Sequence, residues 1–382
     1  MIRSTHRPEE DLGMWSRMSF AALSQEGEGR MSIVLTAPAC TQLVTPYPFP
    51  AKIAAAEAAL SGLRRAVKSF VALNASAPGY DTLAQEVTHG IRRMTTAILE
   101  CEGAGVSTQK ILQHLAPARL IHHNSPFVAR AQDWPRGYAG DFETIEYLCD
   151  AVNRADAGDP VARCIEEYAL ASDITRQHRN KLELQAEMML RYCRSKKGAR
   201  ILSVGCGGAR DLRMIAGLLR DCDAEFVLCD SDAGALELAR AKLGAFARKC
   251  TFVNGRVPRV LNRLKVRGAF DLVIAGGLFD YLPDRWISLM VGEVWRQMLN
   301  CGGTMFFTNI AAGNPYRPWM EYLADWSLIE RTEGDVERLC RDAGVSDGAV
   351  SLTRDGTGLT IIARVVKPAN ANCACESRGG AK

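Results

Sequence analysis

The stretch Ala199-Arg-Ile-Leu-Ser-Val-Gly-Cys-Gly-Gly-Ala-Arg-Asp211 decides the fold class of this chain. It reads as a buried apolar strand, a glycine turn and the start of a helix, which is how an α/β protein begins a nucleotide site. Gly205, Gly207 and Gly208 let the backbone turn sharply and approach a ligand closely. Asp230 ends the next apolar run, where its carboxylate can accept hydrogen bonds from ribose hydroxyls.

The same loop also indicates which nucleotide it suits. Its form is Gly-x-Gly-Gly, with Asp211 four residues after Gly207, and it lacks the third glycine of a dinucleotide-binding Gly-x-Gly-x-x-Gly loop. Because that glycine is missing, the loop favours a nucleoside without phosphates. S-adenosylmethionine fits this expectation, whereas nicotinamide and flavin dinucleotides fit it poorly.

Length and composition narrow the class of protein. A chain of 382 residues favours two domains that share one site. The hydrophobic fraction of 47% and the charged fraction of 24% are typical of a soluble globular protein. A net charge of +4 is too small to indicate a nucleic-acid partner. No apolar run is long enough for a membrane span, and the first ten residues do not resemble a signal peptide, so we expect a cytoplasmic protein.

The 13 cysteines show no metal-ligand spacing, so we expect reduced thiols and no metal site. One close pair, Cys373 and Cys375, lies in a tail that we expect to be disordered. The composition leaves a homodimer open as the alternative to a monomer.

The pattern of apolar residues divides the chain into four regions. We expect an irregular segment (1–48), a helical cap and substrate domain (49–197), a Rossmann-like S-adenosylmethionine-binding domain (198–367) and a disordered tail (368–382). Helical spacing of apolar residues predicts the helices of the cap domain at 51–73, 80–102, 107–115, 142–152, 162–171 and 175–195.

After residue 199 strands and helices alternate, which is typical of a parallel α/β sheet. The predicted strands are 200–204, 225–229, 251–254, 271–275, 303–309, 350–354 and 359–366. The predicted helices are 211–219, 233–243, 257–264, 287–298 and 336–343. Seven strands that end in a hairpin are the arrangement of a Rossmann-like methyltransferase sheet.

Ligands of an open parallel sheet bind beyond the carboxyl ends of its strands. We therefore expect Gly205 and Gly207 to face the methionine part of the cofactor and Asp230 to bind its ribose. Asn254 is expected at the adenine amino edge, and Gly276 is expected to leave room for the sulfonium. The competing interpretation is an ordinary tight turn for the glycines and a helix cap for Asp230.

Two further segments carry candidate residues. Tyr138 and Asp141 are expected on a lid loop that faces the cationic end of the cofactor, although Asp141 also suits a helix N-cap. Arg176 is a candidate for holding a substrate carboxylate, against the alternative of a solvated basic face.

The aromatic segment after the fifth strand offers Glu321 and Tyr322 as polar candidates, although its tryptophans suit a helix that packs on the cap. Tyr322 is expected to contact substrate. The catalytic candidates are Tyr138, Tyr281 and Glu321.

Four motifs together resemble one bacterial family. They are Gly137-Tyr-Ala-Gly-Asp-Phe-Glu, Leu202-Ser-Val-Gly-Cys-Gly-Gly-Ala-Arg-Asp, Ala275-Gly-Gly-Leu-Phe-Asp-Tyr-Leu-Pro and Asn314-Pro-Tyr-Arg-Pro-Trp-Met-Glu-Tyr-Leu-Ala-Asp-Trp. They resemble the methyltransferases named for the extracellular-factor 3-hydroxypalmitic acid methyl ester. The resemblance implies a class I S-adenosylmethionine fold with an N-terminal helical cap. The same scaffold is similar to synthases that cyclise the cofactor to azetidine-2-carboxylate and release methylthioadenosine.

Three functions follow as alternatives. The leading hypothesis is methyl transfer to a small, carboxylate-bearing metabolite, in which the protein mainly aligns the nucleophile and excludes water. The second is cyclisation of the cofactor. The third is a non-catalytic module that binds a nucleoside and docks a partner through its helices.

Overall fold

The amino-terminal part of the described chain is helical. The structure is a computed structural model that describes residues 49–75, 79–257 and 259–369. The predictions for residues 1–48 and for the tail from residue 370 onward, with Cys373 and Cys375, lie outside this part. The helices before the first strand are α1 (Phe49–Ala72), α2 (Tyr80–Gly103), α3 (Thr108–His122), α4 (Pro126–Asp133), α5 (Phe142–Asp150), α6 (Pro160–Ala171) and α7 (Asp173–Ser195).

Strands and helices then alternate, as predicted. The strands are β1 (Arg200–Val204), β2 (Glu225–Asp230), β3 (Cys250–Asn254), β4 (Phe270–Ala275), β5 (Leu299–Ile310), β6 (Val350–Arg354) and β7 (Thr360–Val366). The helices between them are α8 (Arg210–Ile215), α9 (Ala233–Leu243), α10 (Leu261–Lys265), α11 (Asp284–Glu293), α12 (Arg317–Tyr322) and α13 (Glu333–Asp342).

The seven strands form one sheet in the order β3-β2-β1-β4-β5-β7-β6. Strands β1 to β5 run parallel, whereas β7 pairs antiparallel with both β5 and β6. This confirms the predicted Rossmann-like methyltransferase sheet with a terminal hairpin and a helical region before it. The strand order reverses between β1 and β4, so the carboxyl ends of these two strands mark the expected ligand site.

Helix α7 packs into both parts of the structure. Its first turn contributes Ile174 to the apolar core of the helical region, which also contains Phe70 and Phe127. Its last turns contribute Met189 and Cys193 to the core on one face of the sheet. A single amphipathic helix therefore joins the two cores.

The structure differs from the predicted elements at a few places. Helix α3 continues through Pro117 to His122, although the prediction ended this helix before the proline. Helix α4 was not predicted; its signal is Ser125, whose side chain accepts from Val128 N, followed by a proline in the first turn. Helix α12 ends at Tyr322, and Asp325 then adopts a positive φ of 54°. The predicted helical face therefore stops before Trp326.

None of the described helices is both long and apolar enough to cross a membrane.

The contact between α1 and α2 depends on Gly90. A Cβ atom at Gly90 would lie 2.7 Å from Cδ2 of the buried Phe70 ring. We expect Gly90→Ala to lower the free energy of unfolding by about 1–3 kcal/mol, because the ring cannot yield in a packed core. Gly103→Ala is the matched control, because a Cβ there meets nothing within 4 Å. Urea unfolding of both variants measures the difference, and equal stabilities would contradict the packing argument.

Candidate functional site

The glycine loop after β1 needs its glycines for two physical reasons. Gly205 and Gly207 adopt positive φ values of 65° and 52°, which residues with a side chain rarely adopt. A Cβ at Gly208 would lie 2.8 Å from a carboxylate oxygen of Glu146, so a larger residue there would displace the Glu146 side chain. The amides of Gly205 and Cys206 both donate to the carbonyl of Cys229, at 2.8 and 3.2 Å. The loop is therefore folded over the end of β2.

Asp230 is held in position by the backbone at the end of β2. Its Oδ2 accepts from Gly207 N at 2.8 Å, and its Oδ1 accepts from Asp232 N at 2.9 Å. Burial raises the pKa of Asp230, while the hydrogen bonds from these two amides oppose the rise. Each carboxylate oxygen has a second lone pair, so a pre-oriented acceptor stands beside the glycine loop.

A cavity of about 410 Å³ lies at the carboxyl ends of β1 and β4. Its wall combines the glycine loop, the turn after β4, one face of α7 and a covering loop, which we define as residues 134–141. Of the predicted site residues, the wall includes Tyr138, Gly205, Gly207, Asp230, Gly276 and Tyr281. The volume is within the usual range for a small-molecule site.

The face of α7 on the cavity carries polar residues one helical turn apart. Lys181 and Gln185 line the wall. Lys181 Nζ lies 3.3 Å from Asp280 Oδ2, and both side chains are buried. Burial raises the pKa of Asp280, and the Lys181 charge opposes the rise. The Gln185 amide occupies the space that a Cβ at Gly276 would need, so a larger residue at Gly276 would displace it.

His178 lines the cavity one turn before Lys181. Its ring stacks on Trp326, with 5.5 Å between centroids and 23° between planes. Its Nε2 is buried and has no hydrogen-bond partner in the described part of the chain. Burial lowers the pKa of His178 well below its usual range, and the charges of Lys181 and Arg179 lower it further. The ring is therefore neutral.

Tyr281 lines the cavity next to this pair. Its hydroxyl oxygen accepts from Trp326 Nε1 at 2.9 Å. The residue is 36% exposed, but its hydroxyl is desolvated, and this burial together with the Asp280 charge raises the pKa of Tyr281. Gly140 of the covering loop lies directly above, because a Cβ there would be 2.9 Å from Trp326 Nε1. Tyr281 can therefore act as a neutral hydrogen-bond donor.

The covering loop is fastened to the end of β2. Arg136 makes a bidentate pair with Asp232, with Nε–Oδ2 at 2.6 Å and Nη2–Oδ1 at 2.5 Å. Tyr138 donates its hydroxyl to the same carboxylate at 3.0 Å. The hydrogen bond from Arg136 lowers the pKa of Asp232. At the start of the loop, Trp134 Nε1 donates to the carbonyl of Asp325 at 3.0 Å. Tyr138 thus lines the cavity with its hydroxyl already engaged.

Two of the predicted cofactor-binding residues lie beside the cavity and do not line it. Asp141 is the N-cap of α5, accepting from Glu143 N and Thr144 N at 2.9 and 3.0 Å, and it also pairs with Arg130. Asn254 is exposed and donates its side-chain amide to the carbonyl of Asp230 at 3.1 Å. Both side chains have structural partners.

The predicted residues Arg176, Glu321 and Tyr322 lie away from the cavity wall. Arg176 is exposed and pairs with Asp173 one turn earlier on α7. Glu321 pairs with Arg317 on its own helix at 2.9 Å. Tyr322 donates its hydroxyl to Glu102 of α2 at 2.7 Å. Each of these three side chains is paired with another residue of the fold, and none of them lines the cavity.

Several residues of the cavity wall are not among the predicted site residues. They are Glu146, His178, Lys181, Gln185, Cys206, Arg210 and Asp211. The available signal was the spacing of polar residues on α7, since positions three and four apart share a helix face. In the described ranges, no group of three or more histidine, cysteine or acidic side chains is arranged to hold a metal ion.

Residues 202–305 match the family model described as a methyltransferase domain. No curated protein matches the chain. Among solved structures, the chain is similar to a possible exported protein from Bordetella parapertussis, with 20% identity over 84% of this chain and 99% of that one and a TM-score of 0.49.

Two methyltransferase structures are also similar over about half of this chain. One is magnesium protoporphyrin IX methyltransferase from Synechocystis PCC 6803 with bound SAH, at 15% identity, 51% and 88% coverage of the two chains and a TM-score of 0.39. The other is an N-methyltransferase from Bradyrhizobium japonicum WM9, at 14% identity, 50% and 97% coverage and a TM-score of 0.34.

The sheet has the topology of a class I methyltransferase domain, and residues 202–305 match the methyltransferase-domain model. The cofactor of this class is S-adenosylmethionine.

The pair between Arg136 and Asp232 should control the mobility of the covering loop. We expect Asp232→Asn to speed amide hydrogen exchange in residues 134–141 by about tenfold, because it removes a charge-assisted bidentate contact. Tyr138→Phe is the matched control, since it removes only one hydrogen bond to the same carboxylate and should have a smaller effect. Exchange measured by mass spectrometry compares the two, and an equal rate in both variants and the parent would refute the role of the pair.

Proposed function

We propose that this chain transfers the methyl group of S-adenosylmethionine to a small molecule enclosed in the cavity. The observation that carries the proposal is that one cavity combines the glycine loop and Asp230 with the polar face of α7. We further propose membership of the family named for the extracellular-factor 3-hydroxypalmitic acid methyl ester, on the four motifs that resemble it. A cytoplasmic location and a homodimer stay predictions.

The residues of this chain fit the cofactor. Asp230 keeps free lone pairs for the ribose hydroxyls, because its two backbone donors occupy only one lone pair of each oxygen. Gly205 and Gly207 present bare backbone to the methionine part. Gly276 presents bare backbone at the end of β4, where the Gln185 amide lies against it.

When bound, S-adenosylmethionine supplies a methyl group that is already activated on its sulfonium. The chain's own residues then have to orient the acceptor and exclude water. The covering loop encloses the site, and Tyr281 offers a neutral donor. Because Tyr138 is engaged with Asp232, we assign it to closure of the loop.

The acceptor side is formed by α7. A carboxylate-bearing acceptor, as expected from the sequence, would pair with Lys181 and not with Arg176, because Lys181 is the cation of α7 on the cavity wall. Among the described residues Lys181 donates to Asp280 alone, and an ammonium has three donors. A carboxylate nucleophile needs no base. A hydroxyl nucleophile would need a base, and burial makes the neutral ring of His178 a weak one.

Product analysis tests the proposed reaction. We expect the purified protein, incubated with methyl-labelled S-adenosylmethionine and a small-metabolite extract, to yield a labelled small product and an equal amount of S-adenosylhomocysteine. The label should stay in the cofactor when the extract is omitted. Methylthioadenosine as the sole nucleoside product would replace methyl transfer with cyclisation of the cofactor. Binding without any nucleoside product would leave the non-catalytic module.

Asp230 should dominate cofactor affinity. We expect Asp230→Ala to weaken S-adenosylmethionine at least about tenfold, because hydrogen bonds to a charged acceptor are lost. Titration calorimetry measures the dissociation constant, and a thermal melt checks that the variant is folded. Asp347→Asn, which removes an exposed carboxylate, is the control. An unchanged dissociation constant for Asp230→Ala would remove the assigned ribose contact.

A further inference from the structure

The wall of the cavity contains a carboxylate that the proposed reaction has not used. Asp211 is the second residue of α8, is only 3% exposed and lines the cavity behind the glycine loop. The side chain is therefore shielded from bulk water at the wall of the cavity.

Within the described residues, Asp211 has no cationic partner. Its Oδ1 accepts a hydrogen bond from the adjacent backbone amide, Leu212 N, at 2.8 Å. The two arginines of α8 are engaged elsewhere. Arg210 pairs with Glu146 and Asp150, both at 2.9 Å, and Arg213 pairs with Glu146 at 2.8 Å.

The charges of the side chains around Asp211 nearly cancel one another before its own charge is added. Arg213 faces it from its own helix and Glu146 faces it from α5, with opposite signs. The Cys206 thiol of the glycine loop is close to both Asp211 and Asp230. Burial raises the pKa of Asp211 to about 6, although the Leu212 amide opposes the rise. An ionised carboxylate in such a place is costly unless a cation pairs with it.

We propose that Asp211 binds the α-ammonium group of the nucleoside amino acid held in this cavity. The inference rests on the proposed function, since it concerns the same cofactor. S-adenosylmethionine carries two cationic groups, and only the ammonium has N–H donors for a carboxylate. The sulfonium has none. Asp211 therefore recognises the amino-acid end of the ligand, as Asp230 recognises its sugar.

The pairing also acts on the reactivity of the amino group. A neighbouring carboxylate favours the charged form of an amine, so Asp211 holds the proton on the nitrogen. A protonated nitrogen has no lone pair with which to attack the cofactor's own carbon chain. Asp211 thus keeps the amino group unreactive during methyl transfer.

Two nucleosides that do not react separate this contact from all others. S-adenosylhomocysteine keeps the ammonium and lacks the sulfonium, whereas methylthioadenosine lacks the amino-acid end altogether. Calorimetry of the full chain with each nucleoside at pH 7 and pH 5 reads the contact directly. Asp230 faces the sugar in both complexes, so the methylthioadenosine series accounts for its share.

We expect the affinity for S-adenosylhomocysteine to fall about tenfold more than that for methylthioadenosine between pH 7 and pH 5. The sign follows because only the ionised carboxylate pairs with the ammonium, and with a pKa of about 6 its ionised fraction falls about tenfold over this range. Asp211→Asn should weaken S-adenosylhomocysteine about tenfold at pH 7, abolish the extra pH dependence and leave methylthioadenosine unchanged. Asp347→Asn, which removes an equal charge from the surface, should match the parent.

The outcomes distinguish this inference from the proposed function. If Asp211→Asn leaves the affinity for S-adenosylhomocysteine unchanged, or weakens both nucleosides equally, the ammonium contact is wrong and the methyltransferase proposal stands. If the parent binds neither nucleoside, the proposed function itself fails. Should the variant not fold, the pH comparison in the parent still decides, and parallel pH curves for the two nucleosides would overturn the inference.

Discussion

The buried ion pair between Lys181 and Asp280 is the constraint on which the site depends. Asp280 also accepts from Ile310 N through Oδ1 at 2.6 Å, and its carbonyl accepts from Ile329 N at 2.8 Å. One residue therefore joins α7, the turn after β4, the end of β5 and the segment before α13. Because a buried charge that loses its partner is strongly destabilising, this junction fixes the position of α7 over the sheet.

The position of α7 determines what faces the ligand. His178 and Gln185 lie one turn to either side of Lys181, so the same junction orients both. His178 reaches Trp326 and, through the indole N–H, the hydroxyl of Tyr281. The proposed acceptor side of the cavity is thus a chain of side chains from α7, the turn after β4 and the segment after α12. The proposed cofactor side is held by backbone, through the glycine loop and Asp230.

The sequence predicted the backbone-held side of the site and little of the rest. Positive φ at Gly205 and the position of Asp230 at a strand end follow from local patterns, because strand alternation and glycine turns are encoded within a few residues. Glu321 and Tyr322 do not line the cavity because Arg317 and Glu102 engage them, and these partners are recognisable only in the folded chain. Lys181 was missed for the same reason, since Asp280 lies 99 residues away. Helix α3 was ended too early because Pro117 was given more weight than the packing around it.

Helix α7 has a final consequence for how this protein can vary. Residues 202–305, which match the methyltransferase model, supply the glycine loop, Asp230 and Tyr281 to the cavity, while His178, Lys181 and the covering loop come from outside that range. Without the helical region, residues 202–305 would form only part of the cavity wall, and the cavity would be open to water on one side. The helical region therefore cannot be exchanged independently of the sheet. A graft from a relative would have to carry a matching cation for Asp280 and a matching arginine for Asp232 to rebuild an enclosed chamber.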